Sequence, residues 1–436
     1  MQRYFVKVAE EERVFFPLPR GWECSHFLAT EAPEERTPPL GPLLLSALSA
    51  AEVSSPIGRL AQRAKRPLII VDDLTRPTPT SQILEALIPW LMDRGVFPED
   101  LTVIVALGTH APLDERQLEV KLGERVLSSC RVIQHDPRAP DLTPVANLPT
   151  GQVVRINPAV AEADLRISIG SILPHPTAGF GGGKMIMPGV ADFDSIKEHH
   201  LTYMRHPLST LGDVDGNRFF EESLKIAEAV GIDLSIRCLY NGAGGEVSEI
   251  IAGGFEETMR EGTRSTLARW GHKMGHRVDI CIISPLPYIS GPQMLKALAI
   301  ASVATRPGGG ILFVTPSKGT LSEDFVRAFS EARERCGDDP LGRIEELLQK
   351  KEPILPDRSM DFNMAIFNTI ERSFDKRVIF ASPEIPKERI AAMGFEHATS
   401  IREGIARLFD QFPNAEVAIF PSGGFVIPVI EGGSEK

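Results

Sequence analysis

Short apolar runs that end in polar residues recur along the first half of the chain. PLIIVDD (67–73), LTVIVALGTH (101–110) and DLRISIGSILPH (164–175) have the length and branched content of buried strands. Between them lie stretches such as SQILEALIPWLMDRG, whose apolar positions recur at helical spacing. This alternation predicts α/β architecture with a doubly wound sheet, in which ligands bind beyond the carboxyl ends of the strands. Asp73, His110 and His175 each close one of the three runs, so they are expected in one crevice.

The pattern restarts after a helical stretch, GFEETMREGTRSTLARWG (254–271), and the basic turn HKMGHR. VDICIISP opens a second series that runs through QMLKALAIASVAT (helix), GGGILFVTPS (strand), EDFVRAFSEARERC (helix), RVIFASP (strand) and SIREGIARLF (helix). This predicts two α/β domains with the active site in the cleft between them. The N-terminal cofactor and catalytic domain takes residues 1–272, the C-terminal α/β domain residues 273–411, and the tail 412–436 is expected to return to the first domain. The Pro-rich stretch 37–42 and the segment 352–360 read as loops.

Composition narrows the partner. With 436 residues, 42% of them hydrophobic, the chain can bury two cores. A net charge of -11 argues against nucleic acid and against an anionic membrane surface, both of which need a positive field. The partner should be a small molecule. No run of eighteen apolar residues occurs and the N-terminus lacks the order of a signal peptide, so a cytoplasmic protein is expected. Five scattered cysteines form no CxxC pair, which is the usage of reduced structural thiols.

Four constellations carry chemistry. Asp73, Leu74, Thr75 and Arg76 gather an acceptor, a hydroxyl and a guanidinium at a strand end, where Arg76 could grip a carboxylate or phosphate; alternatively Asp73 caps the next helix. Gly108, Thr109 and His110 close another strand. Pro174 and His175 lead into the glycine-rich AGFGGGKMIMPGVAD and on to Glu198, His199 and His200. Ala178 and Met185 break the Walker pattern around Lys184, so these glycines read as positions where backbone approaches a large flat ligand. His199 and His200 point about 100° apart on a helix and would not chelate one metal together. Gln293 and Lys296, three apart at a helix start, could hold a carboxylate. A metal-dependent hydrolase and a non-catalytic small-molecule-binding protein stay open beside an isomerase, although no zinc-hydrolase spacing appears.

Taken together, DDLTRPTP, GTH, PH with its glycine-rich lysine segment, the downstream His and QMLK resemble the nickel-pincer nucleotide-dependent lactate racemase family over residues 66–300, with a looser echo in FPSGGFVIP. The resemblance implies a racemase or epimerase of a 2-hydroxy acid. It implies a nickel-pincer nucleotide, the pyridinium-3-thioamide-5-thiocarboxylic acid mononucleotide of nickel, attached through Lys184, with His200 as the metal ligand and dedicated maturation proteins as partners. Asp73, Leu74, Thr75 and Arg76 would contact the nucleotide, His110 and His175 would be the acid/base pair, and Arg76, Gln293 and Lys296 would bind substrate. Hydride would pass from C2 to the cofactor and back through a 2-keto acid. The chain departs from the family pattern in a glycine loop one residue shorter, and in Asp361-Phe362-Asn363 where a DxW segment is expected. Together with Tyr288 to Pro292, which lack the usual Asp/Asn-rich lead-in to the Gln-x-x-Lys pair, these changes point away from lactate as the substrate.

Overall fold

The computed structural model describes residues 2–9, 11–28, 38–241 and 246–431. They form two compact units, one of Glu35–Tyr240 with Glu246–Ala268, the other of Met1–Glu34, Asn241–Gly245 and Arg269–Lys436. Helices alternate with largely parallel sheets in both, the α/β class the apolar pattern predicts. Among the described residues, no single helix is long and apolar enough to cross a membrane.

The first unit is built on a six-stranded sheet in the order Glu246–Gly253, Leu234–Asn241, Leu165–Ser171, Pro67–Val71, Thr102–Val105, Arg131–Gln134. The strands from Leu234–Asn241 to Arg131–Gln134 are parallel to their neighbours. Leu68, Ile69, Ile70 and Val71 are all buried, as a strand covered on both faces requires. The chain starts in the middle at Pro67–Val71, moves outward through Thr102–Val105 to Arg131–Gln134, and then returns to lay Leu165–Ser171 on the other side. Pro67–Val71 and Leu165–Ser171 therefore flank the point where the winding reverses. In doubly wound sheets, ligands bind beyond the carboxyl ends of the strands at such a point.

The second unit has its own parallel sheet in the order Glu396–Ala398, Arg377–Ala381, Thr305–Val314, Val278–Ile283, Ala415–Phe420, Trp22–Phe27. One core gathers Ile280, Ile282, Leu312 and Ile379 from this sheet with Ile405 and Leu408 of the helix Ile401–Gln411. Tyr4, Val6 and Phe16, from the antiparallel hairpin Arg3–Lys7 and Arg13–Pro17, join it.

Two expectations about domain organisation are corrected here. The first residues of the chain do not belong with 38–268: Trp22–Phe27 pairs with Ala415–Phe420, and the Trp22 indole donates to the Phe412 carbonyl at 2.6 Å. Nor does the tail return to the first unit. Its strand Ala415–Phe420 completes the second sheet, and Ile427–Ile430 pairs with Gly271–Met274 of the same unit. The physical reason is edge completion, since each of these strands finds its ladder partners, among the described residues, in the second unit.

Candidate active site

Asp73 leaves the carboxyl end of Pro67–Val71 and is 4% exposed. The following helix Thr80–Met92 has no side-chain cap, so the capping alternative fails. Its carboxylate instead takes one oxygen to the His110 ring at Nδ1 and the other to the Thr75 backbone N–H at 3.0 Å and the Thr75 hydroxyl. Arg76 Nη1 donates to the Thr75 hydroxyl at 2.8 Å. Burial pushes the Asp73 carboxyl up, but His110, Arg76 and Thr75 together outweigh it and hold the group well below the usual carboxylate range. Asp73 is thus held as an anion against the His110 ring. Leu74 is exposed beside them.

A buried chain of polar groups supports this turn from beneath. Lys121 Nζ donates to Asp72 at 2.6 Å, with the lysine side chain only 1% exposed. The Thr78 hydroxyl donates to Asp72 at 2.5 Å and lies 2.6 Å from Ser171, which in turn lies 2.5 Å from the Tyr240 hydroxyl. Fully buried Arg237 donates to the carbonyl and hydroxyl of Ser168; burial pulls its guanidinium down to about 10, with Asp72 opposing. Sequence reading picked out the motif that holds Asp72 and Thr78 but gave neither this role, and it missed Lys121, Ser168, Ser171, Arg237 and Tyr240. Acidic Asp72 beside an apolar run was the one available signal, because a charge at that depth demands a partner.

From Leu165–Ser171 the chain turns through Pro174–His175 and Gly179–Phe180, a two-residue antiparallel pairing, into the glycine segment. At Gly179 and Gly183 the space beside the backbone is taken by the chain itself. Gly179 has φ +70° and a Cβ there would lie 1.8 Å from the Asp213 carbonyl oxygen, while one on Gly183 would meet the Phe220 ring at 2.7 Å. They let the loop fold tightly against its own chain and deliver Lys184. Its Nζ lies 2.7 Å from His175 Nε2. Surrounding protein and the nearby Arg76 pull the proton affinity of Lys184 well below that of an ordinary lysine.

Asp192 caps the helix Phe193–Tyr203 by accepting from the Ser195 N–H, and this helix brings two histidines toward Lys184. His200 Nδ1 is 2.8 Å from the Ile196 carbonyl, so Nδ1 carries the proton and Nε2 the lone pair. His199 turns elsewhere, its Nε2 3.1 Å from the Phe219 carbonyl and its Nδ1 buried with no hydrogen-bond partner. Phe219 packs its ring edge to face against both imidazoles. Burial pulls His199 down to about 3 and His200 well below an ordinary histidine. Among the described residues, no three His, Cys, Asp or Glu side chains are gathered so as to hold a metal by themselves.

The structure therefore brings Asp73, Thr75, Arg76 and His110 together, and His175 with Lys184 beside His199 and His200. Arg76 acts electrostatically on both groups. Gln293 and Lys296 belong to the second unit. Gln293 lies in the short turn Pro292–Leu295 and Lys296 opens the helix Lys296–Ala304, its ammonium 5.1 Å from the Tyr288 ring centre. Asn363 is buried, with its amide bonded to the backbone N–H and carbonyl of Leu355, so it fixes the loop before its helix.

The chain is similar to known lactate racemases in sequence and in fold. Residues 11–212 match the lactate racemase N-terminal domain family. The chain is 26% identical to the lactate racemase of Thermoanaerobacterium thermosaccharolyticum over 321 residues, 70% of this chain and 73% of that protein. It is 26% identical to the lactate racemase of Lactiplantibacillus plantarum over 393 residues, 86% of this chain and 89% of that one. The lactate racemase apoprotein structure from T. thermosaccharolyticum superposes with a TM-score of 0.82 at 21% identity, covering 98% of this chain and all of that one, which establishes a shared fold.

Proposed function

Taking this chain as a relative of the lactate racemases that carries their N-terminal domain, we propose that it is an isomerase, a racemase or epimerase of a small 2-hydroxy acid. The observation that carries this reading is a pair of histidines with different partners, His110 on Asp73 and His175 on Lys184, each following a strand of one sheet, with Arg76 acting on both pairs. Interconverting two enantiomers needs a proton acceptor and a proton donor around one carbon, and histidine suits both roles near neutral pH.

The cofactor in this reading is the nickel-pincer nucleotide, tethered through Lys184 after assembly by maturation proteins. The residues fit it. Lys184 offers a nitrogen of lowered proton affinity, and His200 keeps its Nε2 lone pair because Nδ1 is engaged by the Ile196 carbonyl, the arrangement usual for metal-binding histidine. Since protein side chains alone gather no metal site among the described residues, the other donors would come from the cofactor. When bound, the group would supply reversible hydride-transfer chemistry at C2 of the substrate. His110 takes the hydroxyl proton through Nε2, Asp73 holds its ring, Arg76 holds the substrate carboxylate, and Leu74 and Thr75 border the nucleotide. Substrate contacts by Gln293 and Lys296, and a substrate other than lactate, belong to the same proposal. Five free cysteines suit a reducing, cytoplasmic setting.

Matured enzyme given a C2-deuterated 2-hydroxy acid tests the reading. Deuterium should remain on C2 of the product. Extensive exchange with solvent would replace hydride transfer by proton abstraction and overturn it.

A further inference from the structure

The hydrogen bonds around His175 fix where its proton sits. Nδ1 accepts from the backbone N–H of Ala178 at 3.0 Å and of Thr177 at 3.3 Å. A ring nitrogen that faces two N–H donors presents a lone pair, so the proton of the neutral ring is on Nε2. Nε2 lies 2.7 Å from Lys184 Nζ. An Nε2–H needs an acceptor, and an ammonium has none. Lys184 is therefore a neutral amine whose lone pair points at the imidazole. His110 is held the other way round, because the Asp73 carboxylate at Nδ1 draws the proton there and leaves Nε2 with the lone pair.

We propose that His175 is the positioning residue of Lys184: its Nε2–H holds the lysine as an oriented neutral amine for acylation in the unloaded chain, before and apart from any role in turnover. The proposal rests on the reading above only in taking Lys184 as the point of attachment. In the acylation, the lysine nitrogen bonds to the acyl carbon, and the bond from that carbon to its leaving group breaks with its electron pair. The nitrogen gives up one proton to the leaving group or to water; His175, already protonated at Nε2, does not take it. Once acylated, the nitrogen lone pair is delocalised into the new carbonyl or thiocarbonyl and no longer accepts a hydrogen bond. The His175 proton is then released from the lysine. Loading thus frees the acid partner of the pair, and an unloaded chain keeps that proton sequestered.

The test uses the full, cofactor-free chain with trace acetic anhydride at pH 7, read by peptide mass spectrometry. An ordinary lysine is unprotonated in only about one molecule in 2500 at that pH. Lys184 should acetylate roughly tenfold or more faster than Lys225, whose side chain is 58% exposed. His175→Phe should bring Lys184 down to the Lys225 rate or below. His175→Gln, whose amide N–H can donate from the same place, should stay within about threefold of the starting rate. An unchanged Lys225 rate controls for folding, and ¹⁵N NMR of the wild-type imidazoles reads the tautomer directly, with the His175 proton expected on Nε2. Lys184 labelling no faster than Lys225, full labelling in His175→Phe, or a proton on Nδ1 would each overturn the proposal. Neither nickel nor substrate is present, so the deuterium experiment can fail without this one, and the reverse.

Discussion

At the scale of single residues, the pairing of His110 with Asp73 controls which ring nitrogen is basic. Asp73→Asn should keep the fold but lose the charge that fixes the ring, lowering kcat on the order of 10² to 10⁴ with little change in KM. Steady-state kinetics of matured enzyme measure it, and a change confined to KM would make Asp73 a binding residue. The metal assignment gives a second expectation: His200→Ala should lose nickel by elemental analysis, whereas His199→Ala should retain it, because His199 Nε2 is engaged by the Phe219 carbonyl. The residue types at the site were legible in the sequence, since a histidine or aspartate closing an apolar run has few bland roles. Their partners were not. That Asp73 binds His110 rather than a helix end depends on how strand ends 37 residues apart are brought together, and that His175 meets Lys184 depends on how tightly the glycine segment folds back over nine positions.

Among elements, the turn after Pro67–Val71 depends on a buried ion pair, and the glycine segment depends on close approach. Lys121→Met leaves Asp72 buried without its cation and should destabilise by about 3–5 kcal/mol, whereas replacing both by apolar residues should cost much less. Urea unfolding of the single and double variants separates the two outcomes. Gly179→Ala combines a left-handed backbone with a Cβ overlapping the Asp213 carbonyl, and should lower Tm more than any other Gly→Ala change in 179–183. Parallel strands covered on both faces announce themselves as continuous apolar runs, which is why the central strands of both sheets were readable. The short strands Trp22–Phe27 and Ile427–Ile430 were not, because their ladder partners lie far away in sequence and no local pattern names them. The packing beside the glycines was hidden for a related reason: a glycine looks the same in sequence whether the space beside it is kept for a ligand or filled, as at Gly183, by Phe220.

For the whole molecule, buried neutral histidines set the acid limit of the cofactor-free chain. Burial holds His199 near 3 and His200 well down, below the ordinary value of about 6.5 that each regains on unfolding. The unfolded chain therefore binds protons first as pH falls. Stability is full above about pH 6.5 and is lost progressively below it, with Asp73 adding a further loss at more acid pH. Tm measured from pH 7.5 to 5 should fall, and His199→Phe should flatten that slope; a Tm independent of pH over this range would contradict the assignment. The pairing of the first strands with the last has a consequence during synthesis. Trp22 and Phe412 are 390 residues apart, yet they share a hydrogen bond. At ordinary elongation rates of about 5–20 residues per second, the amino-terminal hairpin and Trp22–Phe27 emerge from the ribosome roughly 20–80 s before their sheet exists. The unit of residues 38–268 can complete its own sheet in that interval. A nascent chain stalled before residue 412 should accordingly protect the first unit from protease while leaving residues 2–28 open to cleavage, so the earliest part of this protein to be made is among the last to find its place.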